Sequence, residues 1–214
     1  MAMAICVMGE SGSGKTTAMR NLPPDSTFYI DADGKGLNWR GWRQQYNAEK
    51  KNYYRGSDKE KIISILDGLH SKRPDIKYVV IDTINGIMVD DEMARMKDKG
   101  YDKWADLAAA VYGMIVYSLH MRNDLTIIFL AHTQVDRDDN GNTWTHIKTN
   151  GRKLDKIVLE SKFTTVFHAR CIDGEYVMET KANNSTAKTP MGAFETPTIE
   201  NDIMKALEVL EDYR

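Results

Sequence analysis

Short apolar runs, each ending in an acidic or glycine-rich turn, alternate with stretches of helical periodicity along most of this chain. Ala4-Ile5-Cys6-Val7, within the apolar stretch Met3 to Met8, predicts a buried strand, and Thr16 to Leu22 predicts a helix cut off by Pro23-Pro24. Phe28-Tyr29-Ile30 predicts a second strand that ends in Asp31-Ala32-Asp33-Gly34. Ile62, Ile65, Leu66 and Leu69 recur at helical spacing until Pro74 closes the element. Ile76 to Asp82 is a third strand with an acidic end. A long helix is expected from about Trp104 to His120, with Trp104, Leu107, Ala108, Val111, Ile115 and Leu119 on one face. The continuous apolar run from Leu125 to Ala131 is a fourth, central strand.

The texture changes after His132. Asp138-Asp139-Asn140-Gly141-Asn142 is a strong turn between Val135 and Trp144 and predicts a projecting hairpin. Phe163 to His168 and Tyr176 to Thr180 flank a second hairpin turn, and Asn183 to Pro190 has the composition of a mobile polar loop. Residues 199–214 are expected to form an acidic terminal helix with Ile203, Ala206, Leu207 and Leu210 inward. Strands alternating with helices and followed by hairpins indicate an α/β fold, mainly parallel, with antiparallel hairpins at the C-terminal edge. A chain of 214 residues suits one such domain, 1–214.

Composition narrows the function classes. A net charge of −2 makes the whole surface unattractive to nucleic acid, so any such patch must be local. Cys6 and Cys171 lie far apart, outside zinc-type spacing, and are expected to be thiols in a reducing compartment. A first strand starting almost at Met1 leaves no room for a targeting segment, and no run approaches the ~18 apolar residues of a membrane span. The expected location is the cytoplasm, with no membrane partner.

Gly9-Glu10-Ser11-Gly12-Ser13-Gly14-Lys15-Thr16, between the first strand and its helix, fits a phosphate-binding loop at every position. Glycines let the backbone curl so that N–H groups converge on phosphate oxygens. Lys15 is assigned to the β- and γ-phosphates and the Thr16 hydroxyl to Mg²⁺, with Gly9 through Thr17 as the nucleotide-binding set. Asp82, ending Tyr-Val-Val-Ile, has the form of a second Mg²⁺-holding acid. Asp33 is the candidate for activating water, although an Asp before Gly is also a common turn former. His132 ends the fourth strand and is either a γ-phosphate sensor or a histidine satisfied by backbone.

The ordered set of phosphate loop, FYIDADG, YVVIDT and IIFLAH resembles the RecA-like P-loop ATPase core over about residues 3 to 190. It is most similar to the short phage-encoded type that acts in single-strand annealing or recombination. The resemblance implies ATP and Mg²⁺ as cofactors, single-stranded DNA as partner, a homo-oligomer, and cooperation with a single-strand DNA-binding protein. It also implies that Asp33 replaces the family's usual glutamate, one methylene longer, and that His132 stands where a glutamine senses the γ-phosphate. Residues 133–152 match the DNA-contacting loop, and Lys181 and Lys188 match lysines that reach a neighbour's nucleotide. The candidate DNA-binding residues in and after that hairpin are Arg137, Trp144, Lys148, Arg152 and Lys153. A second candidate is the basic, aromatic segment 35–61, whose composition suits equally a stacking platform or an insertion with its aromatics packed inward and its charges solvated. A nucleotide or small-molecule kinase is the rival enzyme class, but Arg122, Arg137, Arg152 and Arg170 are too scattered for a phosphate lid. A non-hydrolysing ATP-gated module is the third class.

Overall fold

The computed structural model of the protein describes residues 1–97, 102–149 and 158–213, and only the backbone of residues 102–108. Its centre is strand β1 (Met3–Gly9), buried at six of seven positions. β1 pairs in parallel with β5 (Thr126–Arg137) on one side and β7 (Thr165–Ile172) on the other. A strand flanked on both edges and covered on both faces has no water-facing side, which is why its sequence is apolar throughout. Beyond β5 lie β4 (Tyr78–Asp82), β2 (Thr27–Asp31) and the edge strand β3 (Tyr53–Arg55), all parallel. Beyond β7 lie β8 (Glu175–Glu179) and β9 (Thr198–Glu200), both antiparallel. The order is therefore β3-β2-β4-β5-β1-β7-β8-β9, with β6 (Thr143–Ile147) pairing only the distal half of β5.

Alternation along the strands divides the core in two. Ala4, Cys6 and Met8 join Ile127, Phe129 and Ala131 on the face covered by α3 (Lys59–Lys72), α4 (Ile84–Ala94) and α5 (Asp102–Leu119). Ile5, Val7, Ile128 and Leu130 face the other way, toward α1 (Lys15–Ala18) and α6 (Ile203–Leu210). Asp58 caps α3 by accepting from the Lys61 amide at 2.8 Å, and Ile62, Leu66 and Leu69 form its buried stripe. Among the described residues no helix is long and apolar enough to cross a membrane.

The structure adds one helix, corrects two expectations and decides between two readings of the aromatic segment. α4 starts almost at once after Asp82, capped by Thr83; its segment INGIMVDDEMA mixes apolar and acidic residues without a clean stripe. The terminal helix starts only at Ile203, because Thr198–Glu200 extends the sheet and Asp202 caps the helix from the residue before it. Asn183 to Pro190 is pinned to the body: Thr145 and Asn184 bond at 2.7 Å, and Val166 and Lys188 exchange two backbone bonds. The aromatic segment 35–61 packs inward. Tyr29, Trp39 and Tyr46 form an edge-to-face cluster with centroids 5.5–6.3 Å apart, and Trp42 lies 5.5 Å from Tyr53. These rings, with the short helix α2 (Trp42–Gln45), cover the sheet near β2, so they are packing groups and not a stacking platform.

Phe129 is fully buried at the sheet centre, its ring 5.5 Å from Phe163. Phe129→Ala is expected to lower unfolding free energy by about 3–5 kcal/mol, read as a lower denaturation midpoint with unchanged slope.

Candidate functional site

Strand β1 ends at Gly9, whose register partner on β5 is His132. A Cβ on Gly9 would collide with the Ser13 hydroxyl and lie 2.6 Å from the Ala169 carbonyl oxygen, so only glycine lets the loop close over the sheet edge. Gly14 sits at φ +91°, and a Cβ there would lie 2.6 Å from Asn201 Nδ2 and 2.8 Å from the Tyr176 ring. The loop thus turns back against α1 in a conformation open to glycine and costly for other residues. Above it is a cavity of about 390 Å³, lined by residues 11–17, Lys35 through Asn38, His132 and Tyr176. That volume is within the roughly 300–1,000 Å³ of small-molecule sites.

Lys15 is buried and its ammonium donates to the Gly9 and Glu10 carbonyls at 2.8 and 2.7 Å. Burial pushes it down to about 8; Asp82 opposes the shift and Lys35 adds to it. It remains a cation at neutral pH, turned back on its own loop. Asp82 is fully buried. Its Oδ2 accepts from the Thr16 hydroxyl at 2.7 Å and from the Tyr29 hydroxyl at 2.8 Å, while Oδ1 has no hydrogen-bond partner. Burial pushes the carboxyl up, against the pull of Lys35, Thr16 and Tyr29.

An orphaned buried carboxylate oxygen beside a loop hydroxyl is a donor set that Mg²⁺ takes, the remaining positions going to water and phosphate. Among the described residues no cluster of three or more His, Cys, Asp or Glu side chains is arranged to hold a metal by itself. The residues present therefore fit a metal brought in with a phosphate ligand, Thr16 and Asp82 being the protein's share.

Asp33 lies just past β2, half-buried. Its Oδ1 accepts from the Thr83 hydroxyl at 2.8 Å and its Oδ2 from Lys35 at 2.6 Å. Burial raises its carboxyl, but Lys35 and Thr83 outweigh that and hold it below the usual range, so it is an anion. Asp31 turns elsewhere: its Oδ2 accepts from the Tyr53 hydroxyl at 2.6 Å and the Gly36 amide at 2.8 Å, which fastens the aromatic segment. The His132 ring is half-buried in the cavity wall, and burial with Lys15 nearby lowers its pKa, leaving it neutral at pH 7. Such a ring can donate one hydrogen bond and accept another.

β5 runs on past His132 into the hairpin with β6. Asn85 braces the junction: its Oδ1 accepts from the His132 amide at 2.7 Å and its Nδ2 donates to the Lys148 carbonyl at 2.8 Å. The Lys148 amide in turn donates to the His132 carbonyl at 2.7 Å. Arg137 and Lys148 are exposed, and Trp144, 40% exposed, stacks on His146 with centroids 6.5 Å apart. Arg152 and Lys153 lie outside the described residues. Lys181 is exposed and reaches the Glu195 carbonyl at 3.4 Å, while Lys188 is half-buried on the bridge to Val166. Neither lines the cavity.

Sequence reasoning missed several residues here. Lys35, read as one cation of the basic segment 35–61, stands between Asp33 and Asp82; its place between two glycines in DGKG was the available sign. Asn85 and Thr83 open the unanticipated helix α4. Tyr176 and Asn201 reach the loop from the far end of the chain, Asn201 donating to the Gly14 carbonyl at 3.0 Å, and no local pattern announces them.

A family model described as an AAA domain matches residues 1–190. No curated protein matches the chain. The family match and the loop geometry agree on a nucleotide-binding P-loop core.

Asn85→Ala leaves the His132 amide and the Lys148 carbonyl without their partner. Stability should fall by about 1–3 kcal/mol, and hydrogen exchange should quicken in the peptides spanning β5 and β6.

Proposed function

The chain belongs to the AAA-domain family, and from that premise we propose that it hydrolyses Mg²⁺-bound ATP and uses the cycle to change its grip on single-stranded DNA. The observation that carries the ATP part is the Thr16–Asp82 hydrogen bond beside an unpartnered Asp82 oxygen, which joins the phosphate loop to the acidic strand. On binding, Lys15 leaves the Gly9 and Glu10 carbonyls for the β- and γ-phosphate oxygens, a charge-assisted exchange for two neutral acceptors. Mg²⁺, when bound, neutralises charge building on the phosphate oxygens. Asp33, an anion at the same edge, orients the attacking water and takes up its proton. His132 donates from its neutral ring to the γ-phosphate and loses that bond when phosphate leaves.

The DNA part is supported by continuity: the strand that bears His132 extends without a break into a hairpin exposing Arg137 and Trp144. Trp144 stacks on a base, while Arg137 and Lys148 meet phosphates. The context we infer is phage recombination or annealing in the cytoplasm, alongside a single-strand DNA-binding protein. The working form is a homo-oligomer whose Lys181 and Lys188 reach a neighbour's nucleotide. One observation favours a second reading, an ATP-gated module without turnover: both Asp33 oxygens are engaged, on a side chain shorter than glutamate.

Lys15→Ala should abolish binding of a fluorescent ATP analogue. Asp33→Asn should keep ATP affinity within about threefold and cut phosphate release by about 100-fold or more. Wild-type phosphate release already at background would select the module without turnover. Trp144→Ala should weaken oligonucleotide binding in fluorescence anisotropy by about tenfold, the value of one stacked base. No binding by wild type at low salt would remove DNA from the proposal.

A further inference from the structure

Lys35 brings into the cavity a cation that the phosphate loop does not supply. Its ammonium lies 2.6 Å from Asp33 Oδ2 and 3.7 Å from the unpartnered Asp82 Oδ1. Among the described residues lining the cavity, Lys15 and Lys35 are the only lysine or arginine side chains. The backbone around Lys35 is held on both sides. The Gly34 carbonyl accepts from Arg55, and the Gly36 amide donates to Asp31 at 2.8 Å. Gly34 and Gly36 both have positive φ, +67° and +81°, so the chain is bent on either side of the lysine. The side chain itself is half-exposed, 48%, and rotates about four bonds.

We propose that Lys35 is a tethered cation with two positions, bridging Asp33 and Asp82 as the structure shows it and moving to the γ-phosphate oxygens when Mg²⁺ enters with the triphosphate. The proposal rests on the ATP-binding reading above and adds to it a second phosphate ligand from the same chain. Electrostatics forces the move. A divalent ion held by Asp82 and Thr16 would repel an ammonium that sits 3.7 Å from Asp82 Oδ1. The pinned backbone leaves the side chain as the part that yields, and the same cavity offers it the terminal phosphate. The exchange leaves no charge unanswered: the ammonium offsets the two carboxylates before binding, and once the metal ion held by Thr16 and Asp82 takes over that task the released ammonium meets the added phosphate. Leaving Asp33 also frees the oxygen that must receive water, so triphosphate binding and readiness of the base become one event.

The test compares Lys35→Ala and Lys35→Arg with wild type in two assays. The first is competitive binding of ATP and ADP in Mg²⁺; the second is Mn²⁺ binding to nucleotide-free protein by electron paramagnetic resonance. Lys35→Ala should hold ADP within about twofold of wild type and lose about tenfold in ATP affinity, equal to about 1.4 kcal/mol. It should bind Mn²⁺ without nucleotide about fivefold or more tightly, because the acid pair has lost its resident cation. Lys35→Arg should restore the preference for ATP. If Lys35→Ala keeps the wild-type ratio of ATP to ADP affinity, whether both are unchanged or both fall, Lys35 is a fixed ion-pair partner and the proposal fails. Wild-type protein that bound neither nucleotide would instead overturn the ATP-binding reading itself.

Discussion

Removing a carboxylate from water at the edge of a sheet costs several kcal/mol unless its oxygens are answered, and Asp82 is removed completely. Two hydroxyls answer one oxygen: Thr16 from the loop and Tyr29 from the neighbouring strand. The second oxygen is left to charge, from Lys35 at 3.7 Å. Each partner belongs to a different element, so the positions of β2, β4 and the loop after β1 are tied through a single side chain. The loop stays closed because the carboxylate needs it, and the carboxylate stays buried because β5 and β2 flank its strand.

The same logic orders the surroundings. Asp31, one strand over and in register with Asp82, accepts from Tyr53 and Gly36 through Oδ2 and so shapes the segment carrying Lys35. Tyr29, Trp39 and Tyr46 then close the sheet behind it, an apolar lid that keeps water from the buried acids on that side. Each of the two acids keeps one buried oxygen without a hydrogen-bond partner. With its other oxygen Asp31 fastens the aromatic segment, while Asp82 ties the phosphate loop to β2.

Periodicity made the central architecture legible because β1, β4 and the inner half of β5, Thr126 to Ala131, are apolar runs too short for helices. The phosphate loop was legible for a different reason: its glycines and lysine must sit consecutively in the chain to do their work. The hidden parts depend on contacts between distant residues. Asn201 supports Gly14 across 187 positions, and Asn85 bridges His132 to Lys148 across 47 and 63. Composition left the aromatic segment with two readings because it records rings and charges but not direction. Trp39, Trp42 and Tyr46 have the makeup of a surface platform, yet the uncovered sheet near β2 draws them inward. Lys35 was lost in the same run for the same reason.

β5 carries a mechanical implication. Its twelve residues, at about 3.3 Å each, make a rod of roughly 40 Å whose first half is clamped between two parallel neighbours. The outer half is joined to β6 by cross-strand pairing and has no hinge of its own before the turn at Gly141. A small tilt at the histidine therefore sweeps the tip through a much larger arc, as with an oar pivoting in its lock. The fulcrum is the carboxamide on α4 that grips the shaft where it leaves the sheet.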